Sequence, residues 1–330
     1  MFITYPIFFG IMLGDMAYGL VTMGLGALLV RKSSTNEMLE LGGKFLMYIG
    51  FGTVVFGYLY AEFAGWEIFP HHGSNPAEVL QMLYPSISEG AYHAWDASLP
   101  LGIELAFPFH RVVMVDDHGN LEHLILLTIY LGIIHVFLGL VIGFRDIMLF
   151  GNGHGGFGFV CAFFEKGTWM ILLVGGFMFA YGFIGPAEWM MQPGAAIAIS
   201  ATVMLMWTLY KYHGVPFPIN IGLAPIEAVG MMPTVISYVR LFAVGVVGVK
   251  IAETGNSMLF DKVSFDEPLM AILLVLGWLA VQFFAWGLGV FSPNIHAARL
   301  HFVEWMRQYY DSSGEAFNPF GLRTQYVEVD

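Results

Sequence analysis

Eight ionisable residues sit where the surrounding sequence is almost wholly apolar: Asp15, Glu62, His135, Glu227, Arg240, His296, Arg299 and Glu304. An ionisable group at membrane depth is costly, and it usually marks an ion path, a proton relay or a ligand site. Arg240 is the sharpest case. It lies in TVISYVRLFAVGVVGVK, and a guanidinium cannot shed its proton as a buried lysine can. On a continuous helix, Pro233, Ile236, Ser237, Ala243, Val244 and Val247 would share its face. None of these is acidic. Glu227 would stand about 20 Å away along the axis and on another side of the helix. The carboxylate or water that compensates Arg240 must therefore come from another helix or another chain. Ser292, His296 and Arg299 form a second polar row at i, i+4 and i+7, one stripe of a helix that contains Pro293 and leads to Glu304.

Plainer readings stand beside these. Arg240 could be one half of a structural ion pair. Arg299, nearer a helix end, could extend its head group to the interface. Glu227 and Glu304 could be solvated helix ends, His135 a satisfied core histidine, and Asp15 the cap of a turn. His71, His72, His93, His110, His118 and His123 share a loop with several acids, but their spacing matches no metal site. No metal or cofactor is expected.

These residues belong to a 330-residue chain that is 57% hydrophobic, 16% aromatic and only 12% charged, with mean hydropathy +0.70. Soluble domains carry about twice that charge, so a polytopic, all-α membrane protein is expected. A net charge of −12 excludes a basic nucleic-acid binder, and a single cysteine excludes a disulfide framework. Forty glycines and 20 methionines suit helices that pack closely in lipid.

Apolar stretches run roughly over 1–30, 45–65, 124–143, 168–185, 195–210, 226–252 and 268–305. Gly10, Gly14 and Asp15 interrupt the first stretch, which reads as a short broken hairpin with both ends on one side. That makes about eight membrane segments, the last two long and tilted. Arg31, Lys32, Lys44, Arg145, Lys166, Lys211, Arg307 and Arg323 fall on one side. Arg111, Lys250 and Lys262 fall on the other. The positive-inside rule then places the C-terminus in the cytoplasm and the 66–123 loop in the lumen or exterior. The whole of 1–330 reads as one membrane-embedded domain. No G-x-x-x-x-G-K-[ST], G-x-S-x-G or H-E-x-x-H occurs, so neither an ATP site nor a hydrolase centre is expected.

Three segments resemble the membrane half of one family: YPIFFGIMLGDMAYGL (5–20), SYVRLFAVG around Arg240, and HAARLHFVEWMRQYYDSSGEAFNPF (296–320). It is the a subunit of V-type ATPases, called subunit I in archaeal A-type enzymes. KFLMYIGFGTVVFGYLYAEFAG and LGIIHVFLGLVIGF also resemble it, in the same order. The RLFAVG wording is closer to archaeal members.

The resemblance implies a non-catalytic stator subunit of a rotary ATPase, carrying protons past a ring of proteolipid subunits. Arg240 would face the ring carboxylates and Arg299 would be the second arginine of that interface. Glu227 would line the cytoplasmic half-channel, one position off the family spacing, and His296 matches a histidine three residues before the second arginine. Ser237, Ser292 and Glu304 complete the candidate ion path. Eight residues after Arg240, where some eukaryotic members carry histidine, stands Gly248. Ten before Arg299, where they carry an acid, stands Gly289. The luminal half-channel would then be lined by His296, Ser292 or water. Partners would be the proteolipid ring, the peripheral stalks, the central-stalk cap subunit and the bilayer, in an archaeal plasma membrane or a vacuolar-type membrane. The family's cytoplasmic N-terminal stator half is expected to be absent here. The alternative is a stand-alone secondary transporter or proton channel. That class tends to show internal repeats, and none is visible.

Overall fold

A computed structural model describes residues 1–33, 36–67, 95–99, 103–107, 121–151, 158–184, 187–264 and 267–310. The membrane body is helical. Its helices are α1 (Thr4–Leu13), α2 (Met16–Lys32), α3 (Glu37–Tyr60), α4 (Leu121–Phe150), α5 (Thr168–Ile184), α6 (Met191–Lys211), α7 (Phe217–Ile236), α8 (Val239–Met258) and α9 (Pro268–Arg299). Two small antiparallel hairpins, Glu62–Phe63 with Trp66–Glu67 and Trp95–Leu99 with Ile103–Phe107, are the strands among the described residues. Six helical runs there are long and apolar enough to cross a bilayer, and the chain is an integral membrane protein. With the α1–α2 pair they make the expected eight segments.

α1 and α2 flank α3 in opposite directions. Phe2 stacks on Tyr48 and Tyr5 lies 5.7 Å from Phe45, so α1 starts near the middle of α3. It ends at Gly14, packed against Tyr60. α2 then returns along the glycines of α3. A Cβ built on Gly26 would stand 2.6 Å from the Gly43 carbonyl oxygen, and one on Gly50 would stand 3.0 Å from that of Gly19. Only glycine lets two backbones approach this closely, the usual device of helix pairs in lipid. The first stretch is thus a hairpin broken at Gly14–Asp15, as its sequence suggests, with a short arm that reaches only the middle of α3 and a longer one that runs on past Gly43.

Asp15 is the corner of that hairpin and not a lone charge at mid-membrane. It caps α2 by accepting from the Tyr18 amide at 3.1 Å, and it also accepts from the amides of Ala64 (3.0 Å) and Gly65 (2.8 Å). An aspartate at the N-cap is favoured because it satisfies otherwise orphaned donors. Glu62, counted in the sequence as part of a span, follows the left-handed C-cap Ala61 and opens the first hairpin, where it is buried. Below this corner Tyr18, Asn256, Trp278 and Gln282 form a buried network. Tyr18 donates to Gln282, Gln282 and Trp278 donate to Asn256 (2.7 Å each), and Asn256 donates to the Ala64 carbonyl (3.0 Å).

Two runs exceed the bilayer by far, Phe217–Lys262 and Pro268–Gln308. The first was expected as one helix from 226. It begins instead at Phe217, where Pro216 and Pro218 suit a helix start, and it divides at Ser237. There Tyr238, Arg240 and Leu241 bond the carbonyls three residues back, a 3₁₀ pattern. Ser237 also turns its hydroxyl onto the Pro233 carbonyl at 2.9 Å, a contact that bends helices. Lys250, counted with Lys262 among the charges of the outer side, lies within α8 and pairs with Glu253 at 2.7 Å. α9 continues through Pro293 and gives way to a π turn over Leu300–Trp305.

Candidate functional site

Arg240 is the second residue of α8, half-buried, directly after the tightened turn. The break corrects the single-wheel reading of its surroundings, because Pro233 and Ile236 belong to α7 and Ser237 is its C-cap. The residues on its C-terminal side do keep the expected face. Ala243, Val244 and Val247 line one wall of a cavity of about 350 Å³ between α1, α8 and α9. Its other walls are Met12, Leu13 and the α9 residues from Ala285 to Pro293, with Gly248 and Gly289 where larger side chains would fill it. Ser292 is the polar side chain of this lining.

The Arg240 Nη1 is buried without a hydrogen-bond partner, and so is the His296 Nδ1. Both Arg240 and Arg299 act electrostatically on the His296 ring, so the histidine lies within reach of both guanidinium charges. No carboxylate forms an ion pair with Arg240 among the described residues, as its apolar face predicts. Arg299 is exposed on α9 and its Nε stands 3.9 Å from the Glu304 carboxylate. That contact spans five residues. In an α-helix i and i+5 diverge, and the π turn, with its i+5 pairing, brings them to one side. Glu304, for which a solvated helix end is one of two readings, is consequently buried, and its Oε2 lacks a hydrogen-bond partner.

Glu227 lies apart from this group. It lines a second cavity, of about 470 Å³, with Lys166, Trp169, Gly230, Met231, Thr234, Val303, Arg307 and Gln308. Its wall is mixed, with one acid and two bases, whereas the first cavity is apolar. Along α7–α8 the order is Glu227, then Arg240, then the apolar cavity. Antiparallel along the Pro268–Gln308 run it is Arg307, then Arg299 and His296, then Ser292. The arginine station therefore separates two cavities. Of the expected residues, Arg240, His296, Arg299 and Glu304 are brought together. Glu227 and Ser292 fall in the flanking cavities, and the Ser237 hydroxyl is spent on its own helix.

Sequence reasoning missed Tyr238, His301 and Trp305, which pack directly behind the arginines in the main core with Phe8 and His135. His301 stands two residues after Arg299 in the same motif, and that proximity was its one available signal. No grouping of three or more metal-ligating side chains occurs among the described residues. His71, His72, His93, His110 and His118, the FNPF segment and Arg323 lie outside them.

No family model matches the chain. Curated relatives do, over nearly all of it. It is 25% identical over 327 residues to A-type ATP synthase subunit I of Methanocaldococcus jannaschii, covering 98% of this chain and 44% of that protein. Subunit I of Archaeoglobus fulgidus is 26% identical, with coverage of 99% and 49%. That of Thermococcus kodakarensis is also 26% identical, with coverage of 99% and 43%. The chain thus spans less than half the length of these relatives. Over nearly its whole length, both arginine motifs and the glycine-broken hairpin included, the chain is similar to the membrane-side half or less of archaeal proteins named A-type ATP synthase subunit I.

Proposed function

We propose that this chain is a stator subunit of a rotary A-type ATP synthase, which gives ions two offset paths to a rotating ring of carboxylate-bearing subunits. The observation that carries this reading is the order of polar features on the helix pair. The Glu227 cavity lies on one side of Arg240, His296 and Arg299, and the Ser292 cavity lies on the other.

A ring carboxylate crossing lipid must be neutral, because a bare anion there is costly. Opposite a fixed guanidinium its ionised form is favoured, so the ion is released. The Arg240 charge also repels a cation attempting to pass straight between the cavities, so the ion must ride the ring. Glu227 receives or delivers ions on the side of Arg307, and Ser292 with His296 marks the other path. The subunit itself performs no ATP chemistry. The Arg31–Lys44 segment and the C-terminal end face the cytoplasm in this arrangement, with the 66–123 segment opposite. Its partners are the proteolipid ring, the stalk subunits and the bilayer.

The test is ATP-driven uptake of protons and of sodium into vesicles holding the complete complex, with Arg240→Ala in parallel. Loss of uptake with intact assembly supports the reading. Uptake at ordinary rates by Arg240→Ala refutes it.

A further inference from the structure

The arginine station has a buried anchor on a helix that carries none of the candidate ion-path residues. His135, on α4, is 3% exposed, and its Nδ1 lies 2.7 Å from the hydroxyl of fully buried Tyr238. Tyr238 precedes Arg240 by two residues, inside the tightened turn. The His135 ring also stacks on Trp305 at 5.0 Å and 12°, and it meets His301 at 5.0 Å edge-on. Both of these belong to the π turn that follows Arg299. His301 is tied in turn to the Ala297 carbonyl (2.8 Å) and to the Thr4 hydroxyl (2.7 Å). One imidazole therefore touches the backbone irregularities next to both arginines.

The geometry makes this contact consequential. A residue in α-helical conformation turns the chain by about 100°, and one in 3₁₀ conformation by about 120°. Trading one for the other in the turn before Arg240 rotates α8 by about 20°. At a side-chain radius of about 6 Å that moves the arginine head by about 2 Å. Displacements of that size are enough to cost large factors in rate where groups must meet in register. The turn's own backbone bonds do not fix the choice, whereas a hydroxyl buried in apolar surroundings is strongly held to its partner.

We propose that His135 is a positioning residue for the ion path. Through the Tyr238 hydroxyl it fixes the rotation of the first turn of α8 and so aims Arg240. Through Trp305 it ties the π turn behind Arg299 to the same point. The proposal rests on the reading of Arg240 given above.

The test compares Tyr238→Phe, His135→Phe, the double variant, His135→Asn and Arg240→Ala in the complete complex reconstituted in vesicles. The readout is ions transported per ATP hydrolysed, a ratio that fewer assembled complexes would leave unchanged. Each Phe variant is expected to lower the ratio about tenfold, equivalent to about 1.4 kcal/mol. The double variant should be no worse than either, because one shared bond is lost only once. His135→Asn, which keeps a polar atom at the δ position, should recover at least half of the loss. Should His135→Phe fail to assemble, Tyr238→Phe carries the same test by removing a single oxygen. An unchanged ratio in Tyr238→Phe, or losses that add in the double variant, overturns the positioning role if Arg240→Ala abolishes transport. Transport that survives in Arg240→Ala overturns the ion-path reading and the positioning role together.

Discussion

Replacing Asp15 by alanine should unfasten the first hairpin from the end of α3. The carboxylate, 3% exposed, holds three backbone amides, those of Tyr18, Ala64 and Gly65. Loss of an N-cap costs about 1 kcal/mol, and each further buried amide stripped of its acceptor costs about 1–3 kcal/mol. Asp15→Ala is therefore expected to destabilise the fold by about 3 kcal/mol or more. Asp15→Asn keeps the oxygen shared by Tyr18 and Ala64 and loses only the one facing Gly65, so it should cost about 1–2 kcal/mol. Unfolding in mixed micelles would be followed by tryptophan fluorescence, because Trp66, next to Gly65, packs on Trp278 at 5.6 Å. Amide exchange at Ala64 and Gly65 supplies a local reading and should quicken in both variants. An Asp15→Ala midpoint indistinguishable from wild type, or an Asn variant weaker than the Ala variant, would refute the clamp.

Gly19→Val should sharply lower the yield of folded protein, since even its Cβ would stand 2.8 Å from the Val54 backbone nitrogen. Gly24→Val on the same helix, with nothing within 4 Å, should be tolerated, and size-exclusion profiles separate the two. Gln282→Leu strips partners from Tyr18 and Asn256, so it should destabilise by about 1–3 kcal/mol in the same unfolding assay. Adding Tyr18→Phe should recover part of that loss, because no buried hydroxyl is then left unpaired. Glu227→Gln should cut ATP-driven ion uptake about tenfold or more while the complex still assembles, because an amide cannot relay a proton. Uptake at wild-type rates would remove Glu227 from the path.

The sequence carried the apolar spans, the break at Gly14–Asp15 and the row of Ser292, His296 and Arg299, because each is written in local spacing. It also carried the solitude of Arg240 on its C-terminal face, which depends only on residues up to seven positions away. The division at Ser237 was not legible, because apolar periodicity runs on through a 3₁₀ turn. Nor was the start of α7 at Phe217, which precedes the apolar stretch that begins at 226. The burial of Glu304 depends on a π turn that no residue type announces. His135 and Tyr238 are 103 residues apart, and Asp15 meets its loop amides across 49 and 50 residues. Such pairings are decided by tertiary packing, which one sequence does not expose.

The seam between α2 and α3 has a consequence for heat. Where Gly26 faces Gly43 and Gly19 faces Gly50, backbone lies on backbone. Ordering a leucine or methionine at a helix contact sacrifices rotamer freedom, a penalty that grows with temperature, whereas glycine has none to lose. Lipid supplies no hydrophobic drive to bring these helices together, so their attraction rests on dispersion and weak Cα–H···O contacts, both enthalpic. The hairpin that positions α1 beside the arginine station is thus joined to α3 by a contact whose glycines carry no side-chain entropy term, leaving that term to neighbours such as Met23, Met47 and Val30. Warming should loosen this joint less than the leucine- and phenylalanine-filled contacts elsewhere in the molecule.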